Sequence, residues 1–304
     1  MIFCSLTYAC INSLRCHRLL STLSIIYIYI LYYPTALTIK VDIQLAIERK
    51  QIWYPPPLHR EATLTQLYGS ALETGDVTFR VQHTHYYPAH TIILALRATV
   101  LYELATLQQA AAAAGTEEED ENTMHGNKVM IDLPANIDCQ AFAQMLDYVY
   151  TVQVPLLHDR DAATRLLILA DYFDLPDLKL YIESVLAEHF VTEMTAADFV
   201  LMGEAYSCPL LKEIAMDTIC YADDDPKKSI LTTSGWLLLQ ESATLAAEVR
   251  NHVPMAYRQL PGVDTNTSTD IDSFDVFALR ERLYEAGQDL DGSREILVAR
   301  LKNL

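Results

Sequence analysis

Gly75-Asp76-Val77-Thr78-Phe79-Arg80-Val81 is the stretch whose reading decides the fold. Val77, Phe79 and Val81 alternate with Thr78, Arg80 and Gln82, the period-2 signature of a half-buried strand. His83 and Thr84 make the turn, and His85 to Tyr87 return as a second strand whose pairing Pro88 ends. Val129, Ile131 and Leu133 alternate in the same way and are closed by Pro134. Ahead of the first strand, Leu64, Leu67, Tyr68, Ala71 and Leu72 recur at helical spacing with Gly75 as the stop, which predicts an amphipathic helix. Two short helices are predicted over 90–97 and 99–108, then a mobile loop over 109–127 carrying an alanine run and the acidic segment 117–121.

From Cys139 onward the pattern is helical. Phe142, Met145, Leu146 and Val149 line one face, Leu166, Leu167, Ala170 and Phe173 a second, and Leu178, Ile182, Val185 and Leu186 a third, with Pro176 at an N1-like position. Phe199, Met202 and Tyr206, then Leu210, Leu211 and Ile214, continue the series. Residues 254–270 read as a flexible linker, followed by a two-helix element with Phe277, Leu279 and Leu283 on one helix and Ile296, Leu297 and Leu301 on the other. A few strands followed by many helices make an α+β domain running into a helical extension.

The chain's 304 residues suffice for two small domains, and 51% hydrophobic residues support real cores. The net charge of −18 argues against a general nucleic-acid binder, which needs clustered Lys and Arg, and suits a protein that meets other proteins. None of the six cysteines forms a CxxC pair, and Cys139, Cys208 and Cys220 sit in helical apolar patterns, so a reducing compartment is expected. Leu19 to Tyr33 is nearly all apolar, follows Arg15 and Arg18, and ends at Pro34. The run is shorter than the roughly 20 residues of a membrane helix but suits a signal-peptide core. An unstructured or misassigned leader is preferred, with no membrane contact unless 19–33 is a retained anchor. Trp53, Tyr54 and Pro55 to Pro57 read as a stiff extended linker.

Catalytic chemistry finds little footing. His83, His85 and His90 lie close in sequence, and a strand pair would put His83 and His85 on one face, but no Cys or second His cluster completes a tetrahedron. Cys139 and the Ser207-Cys208 pair lack a His and Asp at useful spacing and read as packing. No Gly-rich phosphate loop occurs. Neither an enzyme nor a cofactor is expected, and the acidic segment reads as a solvated loop.

The segments Gly75 to Phe79, Tyr87 to His90 and Ile93 to Arg97, then Phe142 to Thr151 and Leu166 to Leu175, together resemble a BTB/POZ domain over about residues 64–190. Residues 191–221 are similar to the BACK-like helices that follow such domains, and Ser234 to Gln240 resembles the Ser/Thr-Gly-Trp segment of speckle-type adaptors. Those adaptors carry a MATH domain first, for which residues 1–58 are too few. Residues 276–304 resemble a SAP motif, with Gln288 where that family often has Leu.

The organisation implied is a leader and linker over 1–58, a BTB/POZ domain over 59–190, a BACK-like extension over 191–253, a linker over 254–270 and a SAP-like hairpin over 271–304. The resemblance also implies a homodimer through Leu64, Leu67, Tyr68, Leu72, Asp76, His90, Ile93 and Leu94, with Asp76 alternatively a polar cap. It implies a cullin-3 face at Leu107, Gln109, Tyr148 and Tyr150. In this family cullin-3 meets a hydrophobic-x-Glu step, whereas Leu107-Gln108-Gln109 has no Glu there. Thr91 stands where the family usually has a basic residue, and Ala98 where it tends to have Ser. In the SAP-like element Arg280, Arg294, Arg300 and Lys302 are offset by Glu281, Glu285, Asp289, Asp291 and Glu295, which favours protein docking or a structural role over DNA. The expected function is a dimeric adaptor, cytoplasmic or nuclear, that presents an unidentified substrate to a cullin-3 RING ubiquitin ligase. A dimeric scaffold in nuclear or transcriptional complexes is the alternative.

Overall fold

The computed structural model describes residues 25–33, 36–44, 52–56, 62–115, 129–222, 230–252 and 271–304. The part of the predicted 109–127 loop that carries the acidic segment 117–121, the linker at 254–270 and the start of the apolar run at 19–24 lie outside these residues. The chain divides into two units, Met1–Gln51 and Ile52–Leu304.

In the first unit β1 (Ile25–Tyr33) pairs antiparallel with β2 (Ala36–Gln44), in a register running from Ile25 opposite Gln44 to Tyr33 opposite Ala36. The leader is therefore not unstructured over these residues. Its Ile and Tyr composition favours a pleated strand. Among the described residues no helix is long and apolar enough to cross a membrane.

Near the start of the second unit Trp53 is buried, so the expected stiff linker is docked at this point. Helices α1 (Ala62–Gly69) and α2 (Ala71–Thr74) lead into a three-stranded sheet in the order β4-β3-β5. The central strand β3 (Val77–Val81) buries Val77, Phe79 and Val81, the alternation its sequence predicts. It pairs antiparallel with β4 (His85–Ala89) and parallel with β5 (Val129–Asp132). Gln82 and His83 turn the chain with positive φ. Pro88 does not end the pairing: it sits opposite Thr78, and Ala89 still pairs with Val77. Because β4 is an edge strand, the missing Pro88 N–H costs no ladder bond on an outer side. A second departure follows α3 (Thr91–Arg97), where α4 (Thr99–Gly115) runs on through the alanines. Alanine is the best helix former, so that part of the expected loop is helix instead.

Helices α5 (Cys139–Thr151) and α6 (Arg160–Tyr172) are each capped by an aspartate, Asp138 accepting from the Ala141 N–H and Asp159 from the Ala162 N–H. Helix α7 (Pro176–His189) starts on proline at a position whose N–H would be unsatisfied anyway. Phe79, Phe142 and Phe173 run edge to face from sheet to α5 to the end of α6, with ring centroids 5.6 and 6.1 Å apart. The apolar core continues without a break into α8 (Ala196–Ala205), α9 (Pro209–Tyr221), α10 (Ser234–Glu241) and α11 (Ala243–Asn251). A Cβ at Gly235 would lie 2.9 Å from the Asp198 backbone nitrogen, so α10 meets α8 at a distance that favours glycine.

The last pair, α12 (Val276–Glu285) and α13 (Arg294–Lys302), is not a separate module. Val276, Leu279, Leu283 and Leu297 are fully buried members of the same core. Burying a side chain of this kind is worth about 1.5–3 kcal/mol, so four of them hold the hairpin firmly to the body.

Candidate functional site

The corner where α2, β4 and α3 meet is organised around Gly75. A Cβ there would fall 2.5 Å from Ala71 O and 2.7 Å from Ala89 O, so α2 and β4 close around a residue without a side chain. That closeness delivers Asp76 to the start of α3. Its carboxylate accepts a hydrogen bond from the Thr91 N–H at 2.8 Å and another from the Thr91 hydroxyl. Asp76 thus caps α3 from the position just before β3, the capping alternative.

His90 precedes that helix and lies inside the molecule. The Tyr150 hydroxyl accepts from the His90 backbone N–H at 2.8 Å and lies 2.9 Å from His90 Nδ1. Thr74 Oγ1 is 2.8 Å from His90 Nε2 and donates its own proton to the Ser70 carbonyl. With the Thr74 proton committed, Nε2–H donates to Thr74, and Nδ1 accepts the Tyr150 proton, so the bonds select one tautomer. Burial pushes the Tyr150 hydroxyl up to about 12, and Tyr68 stacks on its ring at 4.7 Å. The network joins α1, α2, α3 and α5 into one rigid corner.

The corner fixes which face of α3 looks outward. Ile93 and Leu94 point into the core, and His90 is spent on Tyr150 and Thr74, so these three cannot meet a partner as expected. Ile92 and Leu96 point out instead, 67% and 75% exposed, and Leu72 of α2 is also exposed, at 76%. The sequence carries the signal for this, because apolar residues at 92, 93, 94 and 96 cover more than one face of a helix and so call for burial on both. Leu64, Leu67 and Tyr68 are half-buried, packed against the core from α1.

Of the residues expected to face a cullin, Tyr150 is buried in the corner and Tyr148 is buried at the end of α5. Burial, helped by nearby Asp177, holds the Tyr148 hydroxyl well above the usual phenol range. Leu107 is exposed on α4 and Gln109 is half-buried there.

The basic residues of the C-terminal hairpin are committed internally. Arg280 is fully buried and donates to Glu183 Oε2 at 2.6 Å, its guanidinium lying 5.7 Å from the Trp53 ring centroid. Glu183 Oε1 in turn accepts from the Leu210 and Leu211 N–H groups at the start of α9. Arg294 donates to the Asp272 and Phe274 carbonyls, Arg300 pairs with Asp289 at 2.6 Å, and Lys302 pairs with Asp272. Lys179 reaches across from α7 to Asp171 and Asp291. A phosphate backbone would have to compete with each of these ties. Arg280, being inside, is removed from any nucleic-acid face.

For metal chemistry, His83 occupies the turn rather than a strand face, His85 is exposed and His90 is buried. Among the described residues no group of three or more His, Cys, Asp and Glu side chains could hold a metal ion. Cys208 is buried, and its thiol is pushed up by that burial, which makes a poor nucleophile.

Comparison with known proteins agrees with this picture of an interaction domain. Residues 67–190 match the model of the BTB/POZ domain. TD and POZ domain-containing protein 4 of Mus musculus is 32% identical over 176 residues, covering 57% of this chain and 42% of that protein. TD and POZ domain-containing protein 2 of the same species is 28% identical over 168 residues, covering 55% and 41%. Protein maternal effect lethal 26 of Caenorhabditis elegans is 26% identical over 194 residues, covering 59% and 44%. The chain therefore spans less than half the length of these relatives. BTB domains commonly homodimerise and bind other proteins.

Proposed function

We propose that this BTB/POZ domain protein pairs with a second copy of itself through the outward face of α2 and α3, and that the dimer presents a client protein to a cullin-3 ubiquitin ligase in the cytoplasm or nucleus. The observation that carries the reading is the solvent exposure of Ile92 and Leu96 on a helix whose opposite side is already in the core. Large aliphatic side chains left in water at adjoining positions are what an isologous contact covers. Asp76 supports this role indirectly, because its cap holds α3 in the orientation that turns those residues outward. The cullin contact is assigned to α4 at the exposed Leu107 and the half-buried Gln109, and the buried Tyr148 and Tyr150 take no direct part in it. Pairing duplicates each downstream contact and so raises avidity through effective concentration.

Light scattering of the full chain tests the first half. A particle of twice the 34.3 kDa chain mass is expected, falling to the chain mass when Ile92→Glu and Leu96→Glu are combined. Titration with the N-terminal region of cullin-3 tests the second half, with Leu107→Glu as the weakening variant. A monomeric parent would sink the pairing. A dimer that ignores cullin-3 would sink the ligase role and leave a scaffold.

A further inference from the structure

Between the end of α5, the start of α7 and the turn that joins α12 to α13 lies a groove of about 610 Å³. Four tyrosines line it, Tyr54, Tyr148, Tyr181 and Tyr284, together with two carboxylates, Asp177 and Asp289. Among the described residues that line it, none is Lys, Arg or His. The wall is pre-formed: Tyr54 donates to Glu188, its ring sits 5.7 Å from that of Tyr181, and Pro55 and Pro56 continue the same side.

The electrostatics of the groove are one-sided. Asp177 has no hydrogen-bond or ion-pair partner among the described residues, while Asp289 shares Arg300. Partial loss of water against the groove wall first, and the nearby Asp289 second, raise the Asp177 carboxyl above the usual carboxylate range, while the residue itself stays open to solvent. The positive end of α7 takes up part of the Asp177 charge, but the ring faces of the tyrosines add negative potential of their own. A cation entering here relieves the repulsion between the carboxylates and gains the ring faces at once. The chain's net charge of −18 draws basic ligands toward it and repels nucleic acid and anionic lipid. The volume lies within the roughly 300–1,000 Å³ of ordinary ligand sites, room for a long side chain and its flanking backbone.

We infer that this groove docks a lysine- or arginine-bearing segment of a partner protein, the cationic head at Asp177 and the alkyl stem along the tyrosine rings. Its position, between the BTB body and the C-terminal hairpin, makes it a client-recognition surface distinct from the α2–α3 face. Docking here does not require two chains to pair, so it stands or falls separately from the dimer.

The test uses the full chain and three probes: acetyl-Pro-Arg-Pro-amide, acetyl-Pro-Lys-Pro-amide and the same peptide with norleucine in place of the cation. Ligand-detected NMR at low salt should show the cationic peptides binding about fivefold to tenfold more tightly than the norleucine one, the scale of one partly shielded charge pair with a ring contact. Asp177→Asn should bring that ratio close to one. Tyr284→Ala should weaken the cationic peptides while leaving the melting temperature unchanged, since Tyr284 is half exposed. Equal binding of the norleucine and cationic peptides would overturn the inference and make the groove a site for apolar segments. No binding of any probe at millimolar concentration would also overturn it, as would a cation preference that survives Asp177→Asn.

Discussion

Replacing Arg280 with methionine should cost more stability than any other single change in the C-terminal hairpin. In the parent, Arg280 and Glu183 are 0% and 1% exposed and 2.6 Å apart. The variant leaves the Glu183 carboxylate in place with its Oε1 still held by the Leu210 and Leu211 N–H groups at 2.7 and 3.1 Å. Its Oε2 loses the guanidinium. Breaking a buried pair from one side costs about 3–5 kcal/mol. Two nitrogens of Arg280, Nε and Nη1, have no hydrogen-bond partner among the described residues of the parent, a desolvation cost that methionine removes. The lower end, about 3 kcal/mol, is therefore expected. At about 2–4 °C per kcal/mol for a body of this size, the melting temperature falls by about 6–12 °C. Adding Glu183→Gln removes the stranded charge and keeps an acceptor for α9, so the double variant should recover about 1–2 kcal/mol of the loss. Urea unfolding followed by the fluorescence of Trp53 and Trp236 reads both numbers. A single variant within about 1 kcal/mol of the parent would refute the reasoning, as would a double variant no better than the single.

Tyr150→Phe strands the His90 backbone N–H and ring nitrogen and should cost about 1–3 kcal/mol in urea, with the oligomeric mass unchanged. A change of mass at equal stability would mean that Tyr150 meets a partner after all. Gly75→Ala forces α2 away from β4 and should cost about 1–3 kcal/mol, seen as faster hydrogen exchange at the Ala89 and Thr91 amides; parental exchange rates would contradict the close packing. For Lys179, burial disfavours the ammonium, but the bonds to Asp171 and Asp291 outweigh it and hold the group above its ordinary value. A folded value raised above the unfolded one stabilises fully below the unfolded value near 10.4 and fades as pH rises through the folded one. The stability gap between the parent and Lys179→Met should accordingly be flat from neutral pH to about pH 10 and shrink above it. A gap that shrinks in acid and not in alkali would show that the ammonium is not the group responsible.

The sheet was legible because its signals are local. Val77, Phe79 and Val81 alternate and are all buried, and the third strand follows the same rule at Ile131 and Leu133. Asp76 was legible as a cap, though not that it would serve a helix fifteen residues away. What escaped depends on contacts that spacing does not carry. The alanines of α4 competed with the acidic run beside them, and helix propensity prevailed as far as Gly115. Trp53 and Tyr54 carry the composition of a linker, yet the Trp53 carbonyl accepts from Ser184, 131 residues away. The burial of Arg280 was not legible, because an arginine is almost never fully buried unless paired, and its partner is remote in sequence. On α3 the apolar residues were recognised, but choosing Ile93 and Leu94 over Ile92 and Leu96 for the outward face needed the orientation that Asp76 and His90 impose.

The separation between Glu183 and Arg280 also has a meaning in time. Arg280 lies 97 residues after Glu183, and ribosomes add about 5–20 residues per second. For about 5–20 seconds of each synthesis, then, α7 exists with a carboxylate whose neutralising cation has not been made. Through that interval the helix must either leave Glu183 in water or hold it against the bare start of α9. The body reaches its final packing only when the hairpin arrives, so the last helices act as a closing bolt on a fold begun much earlier in the chain.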